Sequence, residues 1–545
     1  MVIGAGPVGL TLACELYRHG VPCRIIEQAS EPHRHSKAFA VHARTLEVFT
    51  QMGIAPEMLA QGKPVAEASF FSGRKLMLRT SFKELAAPYP YFLALPQYQV
   101  EQILEKQLIQ LGGKVERGVA LTHIAQNGHH PTLTLTHPQQ EQETVSPTWV
   151  VGCDGGRSTV RKLLEIPFTG SAYDMGFIVI DAKVKWPAAA PGANTYLTDK
   201  GYLMLVPFPK EGYYRVVLDC PAGEQKQAPT LEEVNSLKDA YGFGDLEISE
   251  PLWISRTQVQ RRMVPAFRHG SVFLAGDAAH LHSPVGGQGL NTGIQDAHNL
   301  GWKLAYVCRG FSTTALLDSY NEERHPVVAA VLQRTDLLNR MLTVKQPVLK
   351  FLRNAVYAFL SSKKSFRLKT ASIAAGLDYH YRKSSLVQED AAGFTRKETK
   401  RAGDLVPGHV WINGDTHGKP LTDLWQDSRY ILMVFGGNGQ QQQSWQELKD
   451  LAVTVNRQYP QQVVSCLVSP EERAFDPKQP GLLYLTDPEN HYRRLFGEDK
   501  PALYLIRPDG YIAYHSHQMN LMGLLNYLSS HLIKQQVFSA AALAG

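Results

Sequence analysis

MVIGAGPVGLTLACELYRHGVPCRIIE, residues 1–27, is the stretch that decides the fold. Residues 1–3 make a short strand, Gly4-Ala5-Gly6-Pro7-Val8-Gly9 a turn, the residues to about His19 an apolar helix, and Cys23 to Glu27 a second strand. This is a βαβ unit that carries GxGxxG where the motif has meaning. Gly4 permits the tight turn, Gly6 lets the backbone approach a pyrophosphate, Gly9 lets helix and strand close up, and the helix N-terminus favours negative charge. Glu27 ends the second strand, placed to hold an adenosine ribose, and its carboxylate favours an unphosphorylated one. The spacing predicts dinucleotide binding. The first strand is short for this motif, so either it begins close to the terminus or the start codon is assigned late.

Two further segments repeat the pattern of an apolar strand that delivers a carboxylate at its carboxyl end, where open α/β sheets bind ligands. In VFLAGDAAHLHSPVGGQGLNTGIQDAHNLGWKLA, residues 272–305, the strand Val272 to Ala275 runs into Gly276 and Asp277. Asp277 is thereby placed to accept from a ribose hydroxyl. Gly286, Gly287 and Gly289 let backbone approach a flat ligand before a helix from about Leu290 to Val307, whose first amides face an anionic ring edge. The other segment, Trp149 to Val151, closes on Gly152-Cys153-Asp154-Gly155 and is followed by Gly156-Arg157-Ser158 and a helix with Arg161.

The chain has 545 residues, 44% hydrophobic and 19% charged, with a formal charge of +6. That length suits roughly three domains. No lysine or arginine block tracks a phosphate backbone, which argues against nucleic acid as a partner. Cys14, Cys23, Cys153, Cys220, Cys308 and Cys466 form no CxxC pair and read as buried thiols in a reducing compartment. No basic leader precedes an apolar core and no run of about 18 apolar residues occurs, so a cytoplasmic protein without a transmembrane segment is expected.

A helical stretch covers residues 36–53, with Leu46, Phe49 and Met52 on one face. Arg44 at its start either points at the cofactor or is solvated. A second helix, Gln97 to Leu111, follows Pro96 and has Gln97 in its first turn. Strands are expected at Lys114 to Gln126 and Pro131 to His137 around an Asn127-Gly128 turn, where His129 and His130 read as solvated residues. Residues 170–263 read as an antiparallel sheet inserted between two parts of the nucleotide domain. Its aromatic residues Tyr202, Phe208, Tyr213 and Tyr214 serve either as a substrate wall or as ordinary sheet packing. Leu316 to Arg340 and Val348 to Leu360 read as amphipathic helices. The basic run Lys363-Lys364 with Arg367 and Lys369 reads as a solvated helix face rather than a membrane anchor. Arg382 to Gly403 reads as a linker or a strand-poor crossing.

In the tail, 404–545, strands at Tyr430 to Phe435 and Val463 to Val468 flank a helix, Ser444 to Arg457. A short helix lies near Glu489 to Leu495. A hairpin then turns at Arg507-Pro508-Asp509-Gly510, before a last helix. This order resembles a thioredoxin-like fold, yet Gly436-Gly437-Asn438-Gly439 stands where a redox CxxC would lie, so no disulfide exchange is expected.

GAGPVG at 4–9, GCDGGRSTVR at 152–161 and LAGDAAHLHSPVGGQGLN at 274–291 together resemble the single-component FAD-dependent aromatic hydroxylases of the flavoprotein monooxygenase family. The resemblance covers about residues 1–380, and the tail is similar to the domain found in the phenol and polyketide hydroxylase branches. It implies an α/β fold in four parts: 1–169 and 264–385 forming a Rossmann-like FAD-binding domain with a helical segment, 170–263 an inserted antiparallel substrate sheet, and 404–545 a thioredoxin-like domain without CxxC. It also implies that Gly4, Gly6, Gly9 and Glu27 hold the ADP half of FAD and that Arg44 and Gln97 contact the cofactor. Asp154, with Arg161 nearby, would serve both FAD and NADPH. Asp277 would bind the ribityl or pyrophosphate end, and Pro284, Gly289, Leu290 and Asn291 would line the isoalloxazine.

The implied chemistry is reduction of FAD by a transient NADPH or NADH, addition of molecular oxygen at the flavin C4a carbon, and passage of a hydroxyl from that hydroperoxide to a small aromatic substrate, phenolic or polycyclic. No second GxGxxG provides for a resident nicotinamide. No metal is expected, because His280 and His282 lack third and fourth ligands. His280 reads as structural, and neither Tyr213 nor His380 is distinguished as a base. Two alternatives stay open: a flavin-dependent reductase (or a halogenase, for which no WxW segment is present), and a non-catalytic protein that binds FAD and an aromatic ligand. The tail could mediate homodimer contacts or cap the fold.

Overall fold

The computed structural model describes the chain apart from residues 33–37, 127–129, 187–189, 222–227, 284–285, 343, 345, 391–398, 409, 411–414, 417–418, 438–443, 470–481, 488–489, 497–499 and 535–545. Two compact units divide it. The first comprises Met1–Tyr17, Pro22–His298 and His325–Asp378, the second Arg18–Val21, Asn299–Arg324 and Tyr379–Gly545.

At the centre of the first unit is a sheet in the order Arg268–His269, Val272–Leu274, Val150–Gly152, Val2–Ile3, Ile25–Glu27, Val115–Arg117, parallel except at its first edge. Val2–Ile3 is only two residues long, yet it is paired on both sides, with Val2 opposite Ile25 and Val151. The expected strand over 114–126 is instead two strands in different sheets. Gly118 breaks it with φ 73°, and Ala120–Ala125 joins Thr132–Thr136 and Gln142–Val145 in a separate antiparallel sheet. Helix Ala43–Gln51 starts later than the sequence pattern predicts, and the first residues of that expected helix, Ser36 and Lys37, lie outside the described residues.

Most strands of the expected large sheet lie between Val150–Gly152 and Arg268–His269 in sequence, and His280–Leu281 follows that span. The sheet order is His280–Leu281, Glu247–Met263, Thr169–Lys185, Tyr213–Pro221, Tyr202–Pro207, Ala193–Leu197, Glu67–Ser72, Lys75–Ser81. The last two strands come from a segment ahead of the insertion, and Glu67–Ser72 pairs parallel with Ala193–Leu197. Helices Pro347–Ser361 and Lys364–Ala374 complete this unit, with the C-terminal part of Asp318–Leu342.

The second unit is built on a sheet in the order Gln388–Asp390, Ile512–Ser516, Pro501–Ile506, Tyr430–Gly436, Val463–Ser469, Leu482–Thr486. Its central strands are apolar at nearly every position because both faces are covered. Tyr430, Leu432 and Val434 pack with Leu448, Leu451 and Leu524 on one face, while Ile431, Met433 and Phe435 pack with Val406, Phe496 and Trp425 on the other. The expected linker contributes the edge strand Gln388–Asp390, whose sequence is all polar and leaves no apolar period to read. Gly437 has φ 78°, while Asn438 and Gly439 lie outside the described residues. All six cysteines are free. Cys308 is exposed and Cys23 half-buried, so the uniform burial expected of them does not hold. No described helix is long and apolar enough to cross a membrane.

Candidate active site

A cavity of about 990 Å³ runs through the first unit, and the loops at the carboxyl ends of the parallel strands open into it. Gly4 and Gly6 follow the first strand, Glu27 ends the second, Asp154 to Arg157 follow Val150–Gly152, and Asp277 follows Val272–Leu274. The three motif glycines play different parts. A Cβ on Gly4, at φ 101°, would lie 2.6 Å from the Cys153 carbonyl oxygen, and one on Gly9 only 1.9 Å from the Gly4 carbonyl oxygen. A Cβ on Gly6 would meet nothing within 4 Å. Gly4 and Gly9 are therefore needed by the fold, and Gly6 leaves room for an occupant.

Glu27 accepts from the backbone amides of Ala5 (2.9 Å) and Ala29 (3.0 Å), which fixes its carboxylate at the cavity wall. Gln97 also lines the cavity, donating to Glu101 at 2.8 Å. Asp154 lines it too, but its carboxylate accepts from Ser158 Oγ (2.6 Å) and from the amides of Thr159 (2.6 Å) and Val160 (3.1 Å), so it caps the helix Thr159–Leu163. Asp277 differs. Its carboxylate is open to the cavity deep inside the fold, desolvation raises its pKa, and the nearby His280 pulls the other way. Among the described residues no hydrogen-bond donor reaches that carboxylate, which leaves its oxygens for a bound hydroxyl.

Gly289 and Leu290 line the cavity at the start of helix Gln288–Cys308, beside Gly286 and Gly287 with φ 83° and 63°. Asn291 stands behind this lining. It ties the loop together by accepting from the His42 amide (2.8 Å) and donating to the Ala40 (2.8 Å) and Gly287 (2.7 Å) carbonyls. Arg44 is 1% exposed and pairs with Glu47 at 3.0 Å, so the solvated alternative is wrong, and Arg44 is placed behind the cavity wall rather than on it. Arg161 donates to the carbonyls of Ala278 and Gly156, both at 2.8 Å, and braces the two Asp-bearing loops instead of facing the cavity. Pro284 lies outside the described residues.

The far wall is the face of the large sheet, with Phe177, Val179, Leu197, Met204 and Val217. Of the four aromatic candidates only Tyr202 reaches it. Phe208 stacks on Phe39 at 5.2 Å, the Tyr213 hydroxyl donates to Glu250 at 2.9 Å, and Tyr214 packs into the sheet's other core. His130 is exposed, and so is His380, which belongs to the second unit.

Residues 1–335 match the family described as "FAD binding domain". The 6-methylpretetramide 4-monooxygenase of Streptomyces rimosus is 34% identical across 99% of this chain and 95% of its own length. This chain belongs to the FAD-dependent aromatic monooxygenases. The pentachlorophenol 4-monooxygenase of Sphingobium chlorophenolicum is 30% identical over 94% of this chain and 92% of its own. Among solved structures, the anhydrotetracycline hydroxylase OxyS from Streptomyces rimosus aligns with a TM-score of 0.76 and 28% identity, covering 97% of this chain and 98% of its own. The monooxygenase has the fittings that FAD requires: an open space at Gly6, an anchored carboxylate at Glu27, and a carboxylate at Asp277 with unused acceptor capacity.

Three polar features of the monooxygenase cavity escape a reading of the sequence. His42 lines it beside Gly286 and Gly287, with burial holding its imidazole down at about 4. Arg215 lines it on the sheet side, locked to Asp181 by two 2.7 Å hydrogen bonds and lying 4.5 Å over the Phe39 ring. The third is a hydrogen-bonded chain. His282 lines the cavity, its Nε2 is 2.8 Å from His280 Nδ1, and His280 Nε2 is 2.6 Å from Asp296 Oδ2. Since the carboxylate accepts, His280 donates through Nε2 and accepts at Nδ1 from His282. The expected structural role of His280 agrees with this burial, and a charge set among apolar neighbours in each of two strands, Asp181 and Arg215, was the available signal for the ion pair.

Proposed function

We propose that this monooxygenase takes electrons from NADPH or NADH and inserts one atom of molecular oxygen into an electron-rich aromatic ring, phenolic or polycyclic, held on the apolar sheet face. The observation that carries this reading is that one cavity joins the Gly6, Glu27 and Asp277 end to the Phe177, Val179 and Val217 wall. Bound FAD supplies the activation of oxygen and its transfer to the ring.

Glu27 holds the adenosine ribose, the Gly4 to Gly9 turn admits the pyrophosphate, and Asp277 accepts from the ribityl or pyrophosphate end. Gln97 and Asp154 border the cofactor, and Gly289 and Leu290 flank its ring system. Gly9, Arg44 and Asn291 support this lining from behind, through close packing, the Glu47 ion pair and backbone hydrogen bonds. The apolar sheet face keeps water from the reacting centre. His282, a residue of the cavity lining, relays the phenolic proton through its Nε2 bond to His280, and the buried Asp296 holds the charge. The strand order of the second unit supports a thioredoxin-like domain with a structural role.

NAD(P)H consumption by the FAD-loaded protein in air, with and without a panel of phenols and polycyclic aromatics, tests the reading. Stimulation by a compound that gains one oxygen is the expected result. Consumption that no compound stimulates moves weight to the reductase or to the ligand-binding alternative.

A further inference from the structure

Helix Pro347–Ser361 is turned the opposite way from an ordinary surface helix. Val348, Phe351, Leu352 and Phe359 are 77%, 76%, 56% and 63% exposed, and their spacing puts them in one stripe with Val356. Its polar side faces inward: Lys350 pairs with Asp199, the Arg353 guanidinium donates to the Met341 carbonyl at 2.9 Å, and Arg353 and Tyr357 line the cavity. A contiguous apolar patch of this kind marks a contact surface.

The charge around it is of one sign. Between Leu337 and Leu377 the sequence has eight lysines and arginines and no aspartate or glutamate. Carboxylates from outside that run neutralise part of it, Glu84 facing Arg367 at 3.6 Å, Asp378 facing Lys369 and Asp336 facing Arg340 at 3.1 Å. Lys363 and Lys364 stay exposed at the end of the apolar stripe, with the Lys363 ammonium 4.9 Å from the Phe359 ring centroid.

We propose that the helix Pro347–Ser361 docks the monooxygenase on an anionic lipid surface, its Phe351 and Phe359 stripe entering the acyl boundary and Lys363 and Lys364 meeting the headgroups. Phenylalanine and leucine on one face with lysine at the flank is the composition of a helix that lies in the interface. At 15 residues it is roughly 22 Å long, short of a span. The exposed charge at the end of the stripe, Lys363 and Lys364, is of one sign, and anionic headgroups complement it. Docking lays one wall of the cavity against the bilayer, where apolar aromatic compounds collect. That consequence for substrate supply rests on the proposed function; the docking does not.

The test is co-sedimentation of the FAD-loaded full chain with vesicles of phosphatidylcholine alone or with 30% phosphatidylglycerol, alongside sedimentation velocity without lipid. Binding to the anionic vesicles is expected, weaker in high salt. It should fall about 30-fold in Lys363→Gln/Lys364→Gln, at roughly fivefold per charge. It should be lost in Phe351→Ser/Phe359→Ser, with the bound flavin spectrum and thermal midpoint kept in both variants. No vesicle binding by the parent protein, or equal binding by the Phe351→Ser/Phe359→Ser variant, overturns the proposal. So does a dimer that this variant dissociates, because the stripe is then covered by a second copy.

Discussion

Alanine at Gly6 and at Gly9 should produce opposite failures, although both positions belong to one motif. At Gly9 the added Cβ would sit 1.9 Å from the Gly4 carbonyl oxygen and 3.3 Å from the Cys153 Cβ. Helix Pro7–Arg18 would have to retreat by more than 1 Å from the strand end to restore a contact of about 3.2 Å, a backbone overlap at the upper end of the ~1–3 kcal/mol that overpacking costs. At Gly6 the added Cβ meets no atom within 4 Å, so apoprotein stability should stay within about 0.5 kcal/mol of the parent. The methyl instead occupies space next to the amides that meet a pyrophosphate. Loss of one charge-assisted hydrogen bond there, ~1.5–3 kcal/mol, weakens FAD binding roughly 10- to 150-fold. Urea unfolding of both apoproteins and a flavin-fluorescence titration of each separate the two effects. FAD binding by Gly6→Ala within twofold of the parent, or equal destabilisation by the two substitutions, would refute the division of labour between these glycines.

Asp277→Asn should make the apoprotein more stable and the FAD complex weaker. Burial raises the Asp277 pKa, so its contribution to stability is present below the ordinary carboxylate range and is lost as pH rises through the raised value. The asparagine's thermal midpoint should therefore exceed the parent's at pH 7 and converge with it in acid. In the second unit, Arg507 pairs with both Glu323 and Asp509 at full burial, and Lys303 joins Glu323 at 2.7 Å. Burial alone would raise these two carboxyls, but Arg507 holds both below their usual range. Arg507→Met should cost about 3–5 kcal/mol at neutral pH. That deficit should hold down to the ordinary carboxylate range and shrink only below it, as pH falls through the depressed values and the parent's two carboxyls protonate; chemical denaturation at several pH values measures it. His282→Gln should keep FAD and lower kcat about 100-fold, as read from steady-state turnover alongside a flavin titration.

The parts of the fold legible in the sequence were those whose constraint is local. GxGxxG with Glu27 announces itself within one βαβ unit, and the strands that end at Asp154 and Asp277 within one strand and its loop; the structure opens all three into one cavity. What stayed hidden depends on partners distant in sequence. Glu67–Ser72 and Lys75–Ser81 mix polar and apolar residues, pair with each other, and join the large sheet through the pairing of Glu67–Ser72 with Ala193–Leu197. Asp181 and Arg215 meet because they are opposite each other in register, and Glu323 meets Arg507 from 184 positions away. Periodicity located the apolar stripe of Pro347–Ser361 without revealing which side faces the protein. Arg44 showed the same limit, since a basic residue at a helix start says nothing about the buried Glu47 one turn on.

The most direct measurement is turnover under ¹⁸O₂ with NADPH and a stimulating phenol or polycyclic aromatic, followed by product mass. One labelled oxygen atom in the ring-hydroxylated product, and none when the label is in water, is the predicted result. A product that takes its oxygen from water, or NADPH oxidation that leaves every aromatic compound unchanged, would contradict the assignment of this cavity to aromatic monooxygenation.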